Sequence, residues 1–262
     1  MRKLFTLSFV TLAIAACSDS GSVTEPTTSL VSATAADSRD HEWNDMGGDE
    51  DDDRDPRVKT YRVTITNLTT GQPMSPAVLV THNRRASLFG AGERASAGIR
   101  AIAEDGDPSV AAAALNGARG VYSVVTTTAP VGIKGGTAFP NSLSVEITAR
   151  GNAKLLSLST MLICTNDGFG GLDAVRLPRG RRAQVYYAAG YDAGTEKNTE
   201  VASSIVPPCF GIGPVQGPMG GGDRTPEMGR IRHHRGIKGI ADLTAAHDWK
   251  GPVAKVVVQR ID

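Results

Sequence analysis

The tightest constraint in this chain is an alternation. In Tyr61-Arg-Val-Thr-Ile-Thr-Asn67 the apolar residues Tyr61, Val63 and Ile65 are separated by Arg62, Thr64 and Thr66. Successive side chains of an extended strand point to opposite faces, so this pattern makes a half-buried strand and not one face of a helix. The chain closes in the same way. Val253, Lys255, Val257 and Gln259 interleave with Ala254, Val256, Val258 and Arg260, a β-branched stretch that reads as a strand buried on at least one side. First and last strands are therefore candidates for neighbours, which would bring the two ends of the domain together.

Between them, Pro76-Ala-Val-Leu-Val-Thr-His82 is a short apolar run, residues 143–148 alternate cleanly, 154–164 carry enough Leu and Ser for a further strand, and 183–187 add one more. Gly and Pro punctuate the junctions. The pattern predicts an all-β fold, an antiparallel β-sandwich with long loops. One or two short helices are expected over residues 96–115, where Ile99, Ile102 and Ala103 sit at helical spacing and Asp107-Pro108-Ser109 resembles a helix start. Residues 207–230, dense in Gly and Pro around Gly220-Gly221-Gly222, have no periodicity and are expected to be a mobile loop.

The first residues set the compartment. Arg2 and Lys3 precede an apolar stretch over 4–13, and Ile14-Ala15-Ala16-Cys17 closes it, the organisation of a signal peptide over residues 1–16. The stretch is shorter than the roughly 20 residues that a spanning helix needs. An aliphatic residue, two small residues and Cys resemble the lipobox of bacterial lipoproteins, which makes Cys17 the lipidated first residue and the membrane a partner through it. Ser18, where an Asp would have favoured inner-membrane retention, points to an outer-membrane or cell-surface position, with the periplasmic side left open. Residues 17–57 then read as a disordered acidic tether that ends in the run Gly48-Asp49-Glu50-Asp51-Asp52-Asp53, and 58–262 as one domain.

A formal net charge of +1 is thus a balance between an acidic tether and a basic domain. Arg84-Arg85, the cluster at 179–182 and that at 230–235 lack the interleaved aromatics on which bases stack, so nucleic acid is not an expected partner. Cys164 and Cys209 are an even pair in an exported chain, and the sequence leaves open whether they form a disulfide or are two small buried residues. His233 and His234 tempt a transition-metal reading with His82 and His247, but adjacent side chains on an extended segment point apart, and surface residues of a basic loop are expected.

Two acidic segments follow predicted strands: Thr165-Asn-Asp167-Gly-Phe-Gly-Gly-Leu-Asp173 and Tyr191-Asp192-Ala-Gly194-Thr-Glu196. A hard divalent cation takes six to eight oxygens at about 2.3–2.6 Å, and carboxylates on glycine-containing loops can converge without strain. Gly194 lets the backbone fold back between Asp192 and Glu196.

These segments, together with Leu158-Ser-Thr-Met-Leu162 before them, the opening Tyr61–Asn67 strand and Pro252-Val-Ala-Lys-Val256, resemble the spondin N-terminal domain of the F-spondin and mindin type over roughly residues 59–261. The resemblance implies a β-sandwich similar to the calcium-dependent membrane-binding domains of protein kinase C. It also implies that calcium is the cofactor and is held by Asp167, Asp192 and Glu196, with Asp173 a second-tier ligand. Glu196 stands where Asp is usual in the animal proteins, and residues 207–235 have no recognised counterpart there. Integrin and matrix binding are not carried over.

The function expected is a calcium-binding surface module for adhesive contacts with an unknown surface protein or polysaccharide, not an enzyme. No Gly-x-Ser-x-Gly elbow and no His-Glu-x-x-His pair occurs. The alternatives are a purely structural surface domain, or an envelope glycan hydrolase using the same carboxylates; the hydrolase requires a cleft lined by aromatics such as Phe169, Tyr187 and Tyr191.

Overall fold

The computed structural model describes residues 57–217 and 220–262. The signal peptide, Cys17 and the tether through residue 56 lie outside the described residues. Among the described residues nine strands run in the order β1 (Lys59–Asn67), β2 (Val78–His82), β3 (Val121–Thr126), β4 (Ser142–Ala149), β5 (Leu155–Met161), β6 (Gly168–Arg176), β7 (Gln184–Asp192), β8 (Arg232–His233) and β9 (Ala254–Arg260). Helices α1 (Ala97–Asp105) and α2 (Ser109–Leu115) separate β2 from β3, and a single turn of helix, α3 (Cys209–Ile212), lies between β7 and β8.

All strand pairings are antiparallel. β4, β1, β9 and the first half of β7 form one sheet, and β3, β2, β5, β6 and the second half of β7 form the other, with β8 added on its edge. β7 belongs to both. Gln184 to Ala188 pair with β9, and Ala189 to Asp192 pair with β6, so one continuous strand turns the corner of the sandwich. The expected neighbours β1 and β9 do pair, with Val63 opposite Val258 and Ile65 opposite Val256.

The alternation of β1 is spent as its periodicity requires. Tyr61, Val63 and Ile65 join Leu156, Leu158, Val256 and Val258 in the core between the sheets. On the outer face of the same strand Thr64 and Thr66 pair hydroxyls with Ser144 and Ser142, and Arg62 bridges Glu146 at 3.0 Å. β2 and β5 of the second sheet are buried on both faces, so β2 reads as an unbroken apolar run, while β5 buries Ser157 and Ser159 alongside Leu156 and Leu158. Its outer side is covered by Ile99 and Ile102 of α1 and Ala111 of α2, packed on Val78, Val80 and Phe169.

The helices form where the sequence places them. The Ser96 hydroxyl accepts the Ile99 N–H and caps α1, and Gly106 closes it in a left-handed conformation. Asp107 accepts the Ser109 N–H at 2.8 Å, so Pro108 enters α2 already turned.

Three strands escape the sequence pattern. β3 is an edge strand with no fully buried residue, and its content of Val121, Tyr122, Val124 and Val125 is the signal that marks it. β6 contains Gly168, Gly170 and Gly171, which give a loop-like composition, yet each glycine is closely packed: a Cβ would stand 2.5 Å from Thr165 on Gly168, 2.6 Å from Phe89 on Gly171 and 3.0 Å from Val253 on Gly170. β8 is two residues long and exists only as an addition to β7.

The segment 207–230 is the largest departure, because its described residues are built into the fold. Cys209 and Phe210 are buried, and Cys209 is disulfide-bonded to Cys164 with Cα atoms 5.0 Å apart. The choice that the sequence leaves open between a bridge and two free thiols is thereby made. Beyond α3 the chain returns along residues 194–205: Gly221 N–H donates to Ile205, Asp223 to Ser203, Glu227 to Thr195 and Gly229 to Gly194. The segment has no periodicity, and backbone hydrogen bonds and a covalent bridge order it instead.

Candidate metal centre

The acidic site is assembled from two connections, β5–β6 and β7–α3. After β5 the chain turns through residues 162–168, held by the Thr165 hydroxyl, which donates to the Leu162 carbonyl at 2.6 Å and accepts the Gly168 N–H at 2.8 Å. That turn presents Asp167 inward. Its backbone carbonyl accepts the Ala193 N–H, and its Oδ2 accepts the N–H groups of Thr195 and Glu196 at 2.7 and 2.9 Å. One carboxylate thus binds the second loop to the first.

Asp192 is the last residue of β7, not a loop residue as the pattern suggests. Its Oδ1 accepts the Gly194 N–H, and its Oδ2 accepts Asn198 Nδ2 at 2.8 Å and Arg232 Nη2 at 3.0 Å. Gly194 between the two acids has φ +69°, and a Cβ there would stand 2.6 Å from Arg230 N. Only glycine accommodates both conditions. Glu196 follows, its nearest cation being Arg224 Nη1 at 3.6 Å from Oε2.

Asp167, Asp192 and Glu196 are 0, 4 and 1 % exposed. Asp167 Oδ1 and both oxygens of Glu196 are buried without a hydrogen-bond partner. Burial, with the neighbouring Asp192 charge adding to it, pushes the Asp167 carboxyl up to about 6, although the Thr195 and Glu196 amides oppose the shift. Burial pushes Glu196 up to about 8 against the pull of Arg224, with Glu104 and Asp167 contributing repulsion. A carboxylate stripped of water and left with vacant lone pairs is costly unless a proton or a cation supplies what solvent did.

Calcium can be tested against these atoms. Three buried oxygens without hydrogen bonds, one of them also 3.6 Å from Arg224, sit on two glycine-containing loops and, as hard carboxylate donors, fit a hard divalent ion at Asp167 and Glu196. Asp192 fits less directly, because Asn198 and Arg232 already engage it. Among the described residues no three carboxylates bring oxygens within 4.8 Å of one another. Ligation by all three therefore requires the two loops to close and Arg232 to leave Asp192.

Asp173 stands apart from this set. It is the sixth residue of β6, exposed on the strand rather than placed in the loop, and the charges that act on it are those of His82 and Glu93. Residues after the second acidic motif act where the motif alone gives no hint. Asn198 reaches Asp192, and Glu200, itself buried, accepts the N–H groups of Lys238 and Ile240. Arg224 and Arg232 come from the segment following α3, far away in sequence. Only the polar continuation Asn198-Thr199-Glu200 could have been noticed beforehand.

The histidines are dispersed. His82 is buried with Nε2 2.8 Å from Ser157 Oγ, exposed His233 stacks on Tyr191 at 4.9 Å, and His234 packs near Trp249. His234 is half-buried, not the surface residue expected, and burial holds its pKa below the ordinary value. His247 lies against the Cys164–Cys209 bridge. Those three side chains approach within 4.8 Å of one another, but a disulfide offers no thiolate to a metal.

The aromatics near the acids belong to the core. Phe169 is fully buried between Phe89 and Tyr191, with centroid distances of 5.1 and 5.4 Å. Tyr187 is exposed on β7, within the half that pairs with β9. Among the described residues no helix is long and apolar enough to cross a membrane.

A family model for the spondin N-terminal domain, Spondin_N, matches residues 66–207. A search of the curated proteins finds none that matches the chain. The matched stretch includes both acidic loops and ends where the segment carrying Arg224 and Arg232 begins.

Proposed function

The chain belongs to the spondin N-terminal domain family, and on that premise we propose that it is an exported, membrane-tethered module that binds calcium and makes adhesive surface contacts. Family membership suggests an extracellular, adhesion-type module. The leader ending in Cys17 supports export and a lipid anchor. The observation that carries calcium is the set of buried oxygens on Asp167 and Glu196 that lack hydrogen bonds.

In this reading Asp167 and Glu196 hold the ion, and Asp192 joins them when Arg232 releases it. The ion supplies positive charge that relieves repulsion between the two loops. Asp167 keeps its second role throughout, since Oδ2 remains the acceptor for Thr195 and Glu196 while Oδ1 faces the cation. Because burial favours the protonated carboxyls, the ion displaces protons as it binds.

Thermal unfolding in calcium and in chelator tests the site. Mass action adds about 2.7 kcal/mol when free ion exceeds its dissociation constant a hundredfold, a shift of several degrees for a domain of this size. Glu196→Gln is expected to remove most of that increment. An unchanged midpoint in the unsubstituted chain rules the ion out. Calcium-dependent retention on cell-surface extracts then tests adhesion separately.

A further inference from the structure

The end of the sandwich that carries the β5 start and the β6–β7 connection is strongly basic, and the metal centre does not use it. Three hollows there share Arg176 in their walls, and the two larger have volumes of about 570 and 500 Å³. Eight cationic side chains line the three together, and among the described residues no carboxylate does. Arg84 and Arg85 stand on one side, Arg150 and Arg176 in the middle, and Arg182 on the other, all exposed. The nearby acid Asp262 is already committed, paired with Arg260 at 2.7 Å.

We propose that this basic end is a docking surface for a polyanionic chain and that its occupant is the protein's own acidic run, residues 49–55. That run carries Asp49, Glu50, Asp51, Asp52, Asp53 and Asp55 against the single Arg54. It enters the domain at this end, because β1 begins at Lys59 and Lys59 lines the hollow formed with Arg150 and Arg176. Ten residues separate Asp49 from Lys59, and at roughly 3.3–3.6 Å each they reach at most about 35 Å. The acids are thus confined to the neighbourhood of the arginines by covalent connection as well as by charge.

Confinement has a defined consequence. A short linker holds its segment at an effective concentration of order millimolar, which for an intrinsic dissociation constant near ~0.1 mM weakens an external competitor about tenfold. The acidic run therefore masks the basic end from other anions and fixes where the tether leaves the domain. Separations comparable to the Debye length of about 8 Å at physiological ionic strength make the contact salt-sensitive.

The test uses the full chain beside a variant carrying Asp49→Asn, Glu50→Gln, Asp51→Asn, Asp52→Asn, Asp53→Asn and Asp55→Asn. A fluorescein-labelled synthetic peptide of residues 48–56 is titrated into each and followed by anisotropy. The neutralised variant is expected to bind the peptide about tenfold more tightly than the unsubstituted chain. Adding Arg84→Ser, Arg85→Ser and Arg176→Ser to it should abolish binding while the thermal midpoint stays put. Equal binding by both chains, binding by neither, or binding that survives the arginine replacements overturns the proposal. So does equal retention of both chains on heparin, which would assign the surface to an external polysaccharide instead.

Discussion

At one end of the sandwich Asp167, Asp192 and Glu196 are withdrawn from water and held by backbone amides and two arginines; at the other, Arg84, Arg85, Arg176 and Arg182 stand in solvent around open hollows. Both ends gather like charges, but the acidic end has buried them and set Arg224 and Arg232 against them. A buried charge needs partners supplied by the fold, so the acidic end is bound into stability, whereas exposed charge costs the fold little and stays available for binding. The scaffold around the acids reflects this: a disulfide, an ordered segment after α3 and a glycine at positive φ all lie beside them.

Perturbations that break this contrast should rank by how far they reach into the acidic end. Replacing Cys164 and Cys209 by Ser removes a bridge across a sequence separation of 45, and chain entropy sets the loss at about 4 kcal/mol. Denaturant titration of the double variant measures it, and a change near zero would mean that hydrogen bonds alone hold the segment after α3.

Asp167→Ala comes next. It strands the N–H groups of Thr195 and Glu196 in a buried site, at about 1–3 kcal/mol for each lost acceptor, offset in part by removal of the desolvated carboxylate. The net loss is expected near 2 kcal/mol in chelator. Asp167→Asn, which keeps an acceptor oxygen, should lose less.

The pH dependence needs no substitution and has an unusual sign for carboxylates. Asp167 is raised from 3.8 to about 6 and Glu196 from 4.5 to about 8. Within those windows the folded state binds more protons than the unfolded, so stability falls as pH rises. Without metal, the contribution of these two groups to the midpoint should decline from about pH 4 to about pH 8 and level off above. Glu196→Gln should flatten the upper part of that decline, and calcium should oppose it.

At the basic end the expected effect on folding is the smallest. Arg84→Ser with Arg85→Ser should leave stability within about 0.5 kcal/mol, because neither side chain is buried. A larger loss would show that the basic surface also supports the fold.

How much of this was legible beforehand depended on the range of the signal. β1 and β9 announced themselves by alternation, α1 by its Ser96 cap and the spacing of Ile99 and Ile102, and the acidic loops by their resemblance to the spondin N-terminal domain. β6 did not, because the glycines that let Phe89 and Val253 approach it also remove the side chains from which a strand is recognised. Asp192 belongs to the acidic motif, yet it is the final residue of β7 and not part of the loop. Asp173 shared the motif and not the site. Arg224 and Arg232 were invisible as site residues, since nothing in a Gly- and Pro-rich stretch indicates where its chain will return.

The sequence by itself determined the all-β class and the pairing candidates at its two ends, because strand periodicity is local and depends on neighbours in the chain; the carboxylates were marked by the family resemblance. Only the tertiary structure decided that Cys164 meets Cys209, that the segment after α3 lies along residues 194–205, and that two arginines face the acids. Those contacts join residues tens of positions apart, and their existence is a matter of which surfaces the closed sandwich brings together.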